Sequence, residues 1–354
     1  MNNTQQKLIA HAKKYPALQT EDVFKYIFQS AFGCEHLVSN EEVALAYIKR
    51  EYESVSKTAE PYVEPLDGEY SRVYLSCLNE GLTSETLARL FCLSAKREGQ
   101  GRVALEQKIE VAKALVASGE LPLEGEEFAQ KLATWKNLGY PAVHHSNAFR
   151  EAYKPAYRVI ANQYVALLPL FARIDKLLSY NRAIVALEGG SASGKSTLAA
   201  ILAAVYGCNV FHMDDFFLRP EQRTNERLSQ IGGNIDYERF GEEVLAPLLK
   251  NEAVNYKPFD CSMQTFAESI TVSPNRLTVV EGVYSMHPAF GEYYDLSVFL
   301  KIDPVNQKER ILVRNSPAFA KRFFEEWIPL EDVYFAKTKI LERADLVLPI
   351  PTPM

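Results

Sequence analysis

The 354-residue sequence contains no apolar run long enough to span a bilayer. Its opening stretch, MNNTQQKLIAHAKKYP, lacks the long apolar segment of a secretory signal. Cysteine is scarce: Cys34, Cys77, Cys92, Cys208 and Cys261 make an odd set with no C-x-x-C pair. That argues against a disulfide framework and a structural zinc site, and for a reducing compartment. There is no excess of positive charge either. Lys and Arg total 39 against 45 Asp and Glu, a formal charge of -6, which speaks against a general nucleic-acid binder. No internal repeat or low-complexity segment interrupts the chain. These absences lead us to expect a cytoplasmic globular protein with neither a membrane nor a nucleic-acid partner, and they leave a homo-oligomer open. The length allows two ordinary domains.

What is present changes character near Asn181. Before it, helical spacing dominates. SNEEVALAYIKREYESV (39–55) opens on Ser39 with Glu42 three residues on, which predicts a capped helix. TSETLARLFCLSAKRE (83–98), VALEQKIEVAKALVASG (103–119) and EEFAQKLATWKNLG (126–139) read as helices, the last two stopped at Gly119 and Gly139. YSRVYLSCL (70–78) reads as a short strand, and AYRVIANQYVALLPLFARIDKLLSY (156–180) as one long helix. After Asn181, five apolar runs alternate with helical stretches: RAIVALEG, CNVFHMDDF, LTVVEGVYS, DLSVFLKID and ADLVLPI. Such alternation predicts an α/β fold, a parallel sheet flanked by helices. The expected organisation is a mostly helical domain over 1–180, followed by a P-loop domain over 181–354.

The stretch EGGSASGKST supplies the reason for that name. Gly189-x-x-x-x-Gly194-Lys195-Ser196 is the P-loop pattern, standing after a strand and before a helix. Its glycines allow tight turns whose backbone N–H groups face phosphate oxygens. The following helix adds the positive end of its dipole. ATP is therefore the expected ligand, held by Gly189, Gly190, Ser191, Ala192, Ser193, Gly194, Lys195, Ser196 and Thr197. Lys195 would reach the β- and γ-phosphates and Ser196 would ligate Mg²⁺.

Carboxylates then mark the other strand ends. HMDDFF places Asp214 and Asp215 at the end of the second run, and LTVVEG places Glu281 at the end of the third. In an open parallel sheet, ligands gather at these carboxyl ends. An acid there can take a proton from an acceptor hydroxyl or help to hold Mg²⁺, so Asp214 and Glu281 join Ser196 as metal candidates. Capping of the next turn by the paired Asp residues is the simpler alternative.

GGSASGKST, MDDFF, VVEG and FLKID followed by an Arg-bearing helix together resemble the uridine kinase and phosphoribulokinase group of P-loop kinases, over about residues 182–350. HMDDFFLRP is also similar to nicotinamide riboside kinases of that group. The resemblance implies that Asp214 is the catalytic base and Asp215 its neighbour. It implies that Glu281 supports Mg²⁺ and that a lid brings arginines to the phosphates. KERILVRNSPAFAKRF offers Arg310, Arg314, Lys321 and Arg322 for that role; each also reads as a solvated helix charge. GGNIDYERF (232–240) resembles the segment before the acceptor site, giving Asp236, Tyr237 and Arg239 as substrate candidates, with helix capping by Asp236 as the alternative. The pattern departs at KPFDCSMQTF (257–266). Phe259 replaces the tyrosine of the uridine kinases, and Gln264 and Phe266 stand near where histidine and arginine are expected. Kinase chemistry survives that change, whereas uridine as the acceptor is put in doubt.

The first half carries two unusual clusters and no family resemblance. FGCEHLVSN sets Glu35 beside His36, and YPAVHHSNAFREAYKPAYR (140–158) packs His144, His145, Arg150, Tyr153, Tyr157 and Arg158 together. Such residues can bind a phosphorylated or acidic ligand, ligate a metal, or serve as satisfied polar groups in a packing domain. The expected function is thus an Mg·ATP-dependent kinase acting on a hydroxyl of a small nucleoside-like or sugar-like acceptor. A regulatory ATP-binding module, or a bifunctional protein whose first half binds its own ligand or partner, is the alternative.

Overall fold

The computed structural model describes residues 3–34, 40–55, 62–97 and 99–350. The chain forms two compact units, Met1–Asp175 and Lys176–Met354.

In the first unit, helices including Asn3–Lys14, Thr20–Phe32, Ser84–Ala95, Gly101–Ala117 and Gly125–Asn137 accompany a small antiparallel sheet. Its strands are β1 (Val63–Pro65), β2 (Tyr70–Tyr74) and β3 (Tyr157–Ala161), in that order. Central β2 pairs with β3 from Tyr70↔Ala161 to Tyr74↔Tyr157. The helix Glu41–Tyr52 is capped by Asn40, whose side chain accepts from Val43 N at 2.8 Å. The expected cap, Ser39, lies outside the described residues. Asparagine satisfies an orphan N–H as well as serine does, so the start moves by one residue. Gly119 and Gly139 do end their helices, with φ of +77° and +81°, a backbone region that costs glycine nothing.

Two expectations fail. YSRVYLSCL is a strand only over Tyr70–Tyr74 and turns into a 3-10 helix at Leu75–Glu80. Residues 156–180 are not a single helix but β3, the short helix Asn162–Val165 and the helix Leu168–Tyr180. Tyr157, Val159 and Ile160 favour a pleated strand, and β2 offers them a free edge. A short apolar run does not reveal its own period, and the partner strand decides it.

The second unit is built on β4 (Ala183–Glu188) and β5 (Asn209–His212). A nested pair of hairpins follows, made of β6 (Val254–Tyr256), β7 (Phe259–Asp260), β8 (Thr265–Phe266) and β9 (Ile270–Val272). Then come β10 (Leu277–Glu281), β11 (Leu296–Lys301) and β12 (Leu346–Pro349). The main sheet runs β12-β11-β4-β10-β5, with every pair parallel. All six residues of β4 are buried, as expected for a strand covered on both faces. From β4 the chain passes to the outer β5, returns to β10, then crosses to β11 on the opposite side of β4. That reversal opens a crevice at the carboxyl ends of the strands. An apolar core including Phe211, Met213, Phe216, Phe240, Val280 and Tyr334 supports its floor. This is an α/β fold, a parallel sheet flanked by helices, with the P-loop sequence directly after its central strand. Among the described residues no helix is long and apolar enough to cross a membrane, and Cys77, Cys92, Cys208 and Cys261 are free thiols.

Candidate nucleotide and acceptor site

The loop between β4 and the helix Lys195–Tyr206 is fixed from beneath by Glu188, which is wholly buried. Its carboxylate accepts from Gly189 N and Tyr284 N at 3.1 Å each, from Met286 N at 3.1 Å and from the Tyr334 hydroxyl at 3.0 Å. Burial pushes its pKa up to about 7. One side chain thus ties the loop to the turn after β10 and to the helix Ile328–Thr338. The sequence signal was slight: an acid closing a strand that is otherwise apolar.

Gly189 takes φ +146°, and a Cβ there would meet the Leu300 carbonyl oxygen at 2.7 Å. Only glycine fits that approach. Ala192 also has positive φ, +59°, a conformation in which a side chain stores strain and which is common in ligand-clamping loops. Ser193 Oγ is buried without a hydrogen-bond partner. Lys195 Nζ donates to the carbonyls of Gly189 and Gly190 at 2.8 and 3.0 Å. Its ammonium therefore lies across the loop.

Two further residues hold the loop from the side. Glu331 accepts from both Ser191 N, at 2.8 Å, and the Ser191 hydroxyl. Gln307 Nε2 donates to Ser191 O at 2.8 Å. Neither residue was singled out from the sequence, because each reaches the loop from a helix more than a hundred positions away. Thr197 is exposed on the first helical turn.

The carboxyl ends of β5 and β10 complete the site. Ser196 Oγ donates to Glu281 Oε1 at 3.0 Å, and His212 Nδ1 lies 2.6 Å from the same oxygen. Burial works against the charge of Glu281, but the His212 hydrogen bond and Lys195 outweigh it and hold the carboxyl below its usual range. The hydrogen bond to Glu281 raises His212 in turn. Asp214 is exposed, with protein packed closely around it. Desolvation raises its pKa, and nearby Lys195 offsets this only in part. Asp215 accepts from the Tyr256 hydroxyl at 3.1 Å and is likewise raised by burial.

The acceptor candidates separate into two groups. Arg239 donates to the backbone carbonyls of Asp215 and Lys257 at 2.9 and 3.0 Å, lies over the Phe216 and Phe266 rings, and keeps Nη1 buried without a hydrogen-bond partner. Phe259 is buried edge-to-face against Phe266. These residues share one corner with Asp215. Asp236 instead caps the helix Tyr237–Phe240 through Arg239 N at 3.2 Å and accepts from Gln222 at 2.8 Å, so both its oxygens are engaged. Tyr237 stacks on His287 beneath the Arg227 guanidinium. Of the lid cations, Arg310 reaches the loop, donating to Ala192 O at 3.3 Å. Arg314 is exposed at the end of its helix, and Lys321 and Arg322 pair with Glu325 and Glu326.

No family model matches the chain, and no curated protein matches it. Among solved structures it is similar to a possible uridine kinase from Bacillus stearothermophilus, at 22% identity over 51% of this chain and 98% of that one, with a TM-score of 0.38. A Silicibacter protein named as a fructose transport system kinase is 25% identical over 47% and 89% of the two chains, TM-score 0.38. A shikimate kinase from Bacteroides thetaiotaomicron is 13% identical over 48% and 86%, TM-score 0.25.

In the first unit, His144, His145 and Arg150 line one cavity. Arg158 is buried and pairs with Glu51, also in that lining, at 2.7 Å. Tyr157 OH lies 2.7 Å from His145 Nε2, while Tyr153 OH accepts from Ala17 N. Glu35 and His36 lie outside the described residues. Among those described, no group of three or more His, Cys, Asp or Glu is arranged to hold a metal.

Proposed function

We propose that the second unit transfers the γ-phosphoryl group of ATP to a hydroxyl of a small nucleoside-like or sugar-like acceptor. The observation that carries this reading is Asp214: a carboxylate open to water, facing the field of the P-loop lysine and of Glu281. A purely regulatory nucleotide switch has no need of an acid in that place.

In this reading Lys195 leaves the carbonyls of Gly189 and Gly190 for the β- and γ-phosphates of ATP, and Arg310 neutralises charge on the transferring group. Asp214 accepts the proton of the attacking hydroxyl. The oxygen donors Ser196 and Glu281 suit Mg²⁺, a hard cation that keeps most of its ligands as phosphate and water oxygens. When bound, the ion supplies charge neutralisation along the phosphates. Asp215, Arg239 and the aromatic corner of Phe216 and Phe266 would border the acceptor.

The test is ADP release measured over a panel of nucleosides, vitamin ribosides and sugars, with Lys195→Ala as control. Acceptor-dependent release that disappears in a folded Lys195→Ala protein is expected. Release at the wild-type rate in that variant, or none with any acceptor, would overturn the proposal.

A further inference from the structure

The cavity in the first unit has a volume of about 360 Å³, and its lining includes Lys25, Glu51, His144, His145, Arg150 and Lys154. Its charge is unbalanced. The one acid, Glu51, is already engaged by Arg158 Nη1 at 2.7 Å. Among the described residues no ion pair involves Lys25, Arg150 or Lys154. Three cations therefore share one concave wall, and no described acid pairs with them.

Asp22 relieves Lys25 only in part. Asp22 is itself engaged, accepting from His145 Nδ1 at 2.7 Å, Ser146 N at 3.1 Å, Ser146 Oγ at 2.7 Å and Gln19 N at 2.9 Å. His145 is clamped by that bond, by Tyr157 OH at its other nitrogen and by a parallel stack on Phe149 at 4.3 Å. Burial keeps His145 neutral, with its pKa pushed down to about 4. Farther in, Arg72 is fully buried with Nη2 unpartnered. Burial, together with Arg72 and Arg150, depresses Lys25 to about 8. Lys25 donates one bond, to Val143 O at 3.0 Å; an ammonium has two more to give. Lys154 is held at the rim with φ +43°, although a β-carbon and a following proline both disfavour that backbone.

We infer that this cavity is a binding site for the phosphate group of a small phosphorylated metabolite. A phosphate monoester brings close to two negative charges and three strong acceptor oxygens, which answers three cations that no described acid pairs with. A single carboxylate would leave charge uncompensated. The volume is at the lower end of small-ligand sites. The cavity belongs to the first unit, and the inference does not depend on the kinase reading.

The test uses the full chain with labelled histidine, so that the His144 and His145 ring signals report on this cavity rather than on the P-loop. Inorganic phosphate is the probe. The expected result is saturable shifts of these signals. In Arg150→Gln/Lys154→Gln, two exposed positions, affinity should fall at least about tenfold, the worth of one charge-assisted bond. Arg150→Lys/Lys154→Arg should retain binding, which distinguishes lost charge from lost structure. Malonate serves as the carboxylate arm and should bind more weakly. No shift with phosphate, an unchanged affinity in the glutamine variant, or malonate binding as tight as phosphate would each overturn the inference.

Discussion

The Ser196 hydroxyl donates to Glu281 Oε1 across 3.0 Å, joining the first helical turn after the P-loop to the end of β10. His212 Nδ1 meets the same oxygen at 2.6 Å, so one carboxylate oxygen serves two elements. The sign of the pH dependence follows from the two shifts. His212 is raised from 6.5; its share of stability is complete below 6.5 and fades as pH climbs through the higher folded value. Glu281 is lowered from 4.5; its share is complete above 4.5 and fades as pH falls through the lower folded value. Glu281→Gln should therefore bring the His212 titration, followed by NMR, back down toward 6.5, and should raise the Mg²⁺ concentration needed for half-maximal turnover. An unmoved His212 titration would show that the pair does not exist in solution.

Asp214 and Asp215 are adjacent, but only Asp215 has its carboxylate tied to a tyrosine hydroxyl, that of Tyr256. Asp214→Asn fills the same space without accepting the proton. Phosphoryl transfer should fall at least about a hundredfold while ATP affinity is kept. Asp215→Asn should cost less, because an amide oxygen still accepts from Tyr256. Since Asp214 is raised above 3.8 and must be ionised to act, activity should drop on the acid side at a pH above that value. Stopped-flow transfer rates across pH check both points. Greater sensitivity at Asp215 would move the base to the second acid.

Glu188 is the buried support of the loop, and its pKa of about 7 against 4.5 for a free side chain carries a stability consequence. Between those values the folded chain holds the proton that the unfolded chain has lost, so this group's contribution to stability declines as pH rises. Glu188→Gln abolishes that slope. It also turns an NH₂ toward N–H donors, which costs about 1–3 kcal/mol for an unsatisfied buried group. Urea unfolding should show the variant less stable at about pH 5, with the gap narrowing toward about pH 8. A gap that stays constant from about pH 5 to about pH 8 would mean that Glu188 is charged throughout.

How much of this was legible in the sequence depends on range. The five apolar runs after Asn181 became β4, β5, β10, β11 and β12, because a fully buried parallel strand states itself in a few consecutive residues. The GGSASGKST loop is equally local. What stayed hidden comes from approach through space. Glu331 and Gln307 brace Ser191 from distant helices, and no spacing rule connects them to it. Tyr157–Ala161 was misread because its strand character depends on the edge offered by β2. The basic cavity combines Lys25 with residues near 150; half of that cluster could be read from one segment and the other half could not.

The hairpin at β7 and β8 bears on acceptor choice. Phe259 is buried against Phe266, so neither offers a polar contact to a pyrimidine. Gln264 sits at φ +53° in the turn, and its side-chain amide folds back onto the Cys261 carbonyl. That amide is thus spent locally. Discrimination of 10⁴-fold or so needs hydrogen bonds that a wrong ligand leaves unpaired, and an aromatic corner with a guanidinium over it gives shape and stacking instead. We expect kcat/KM for uridine to exceed that for other riboside or sugar acceptors by no more than about a hundredfold, the range open to an apolar pocket. Gln264→Ala should change the uridine value by less than about threefold, since the lost bond lies within the turn rather than to the ligand. Competition kinetics with paired acceptors measure both quantities. A uridine preference of several thousandfold that collapses in Gln264→Ala would mean that the amide swings out to read the base, and the hairpin would then be a polar recognition element rather than an apolar wall.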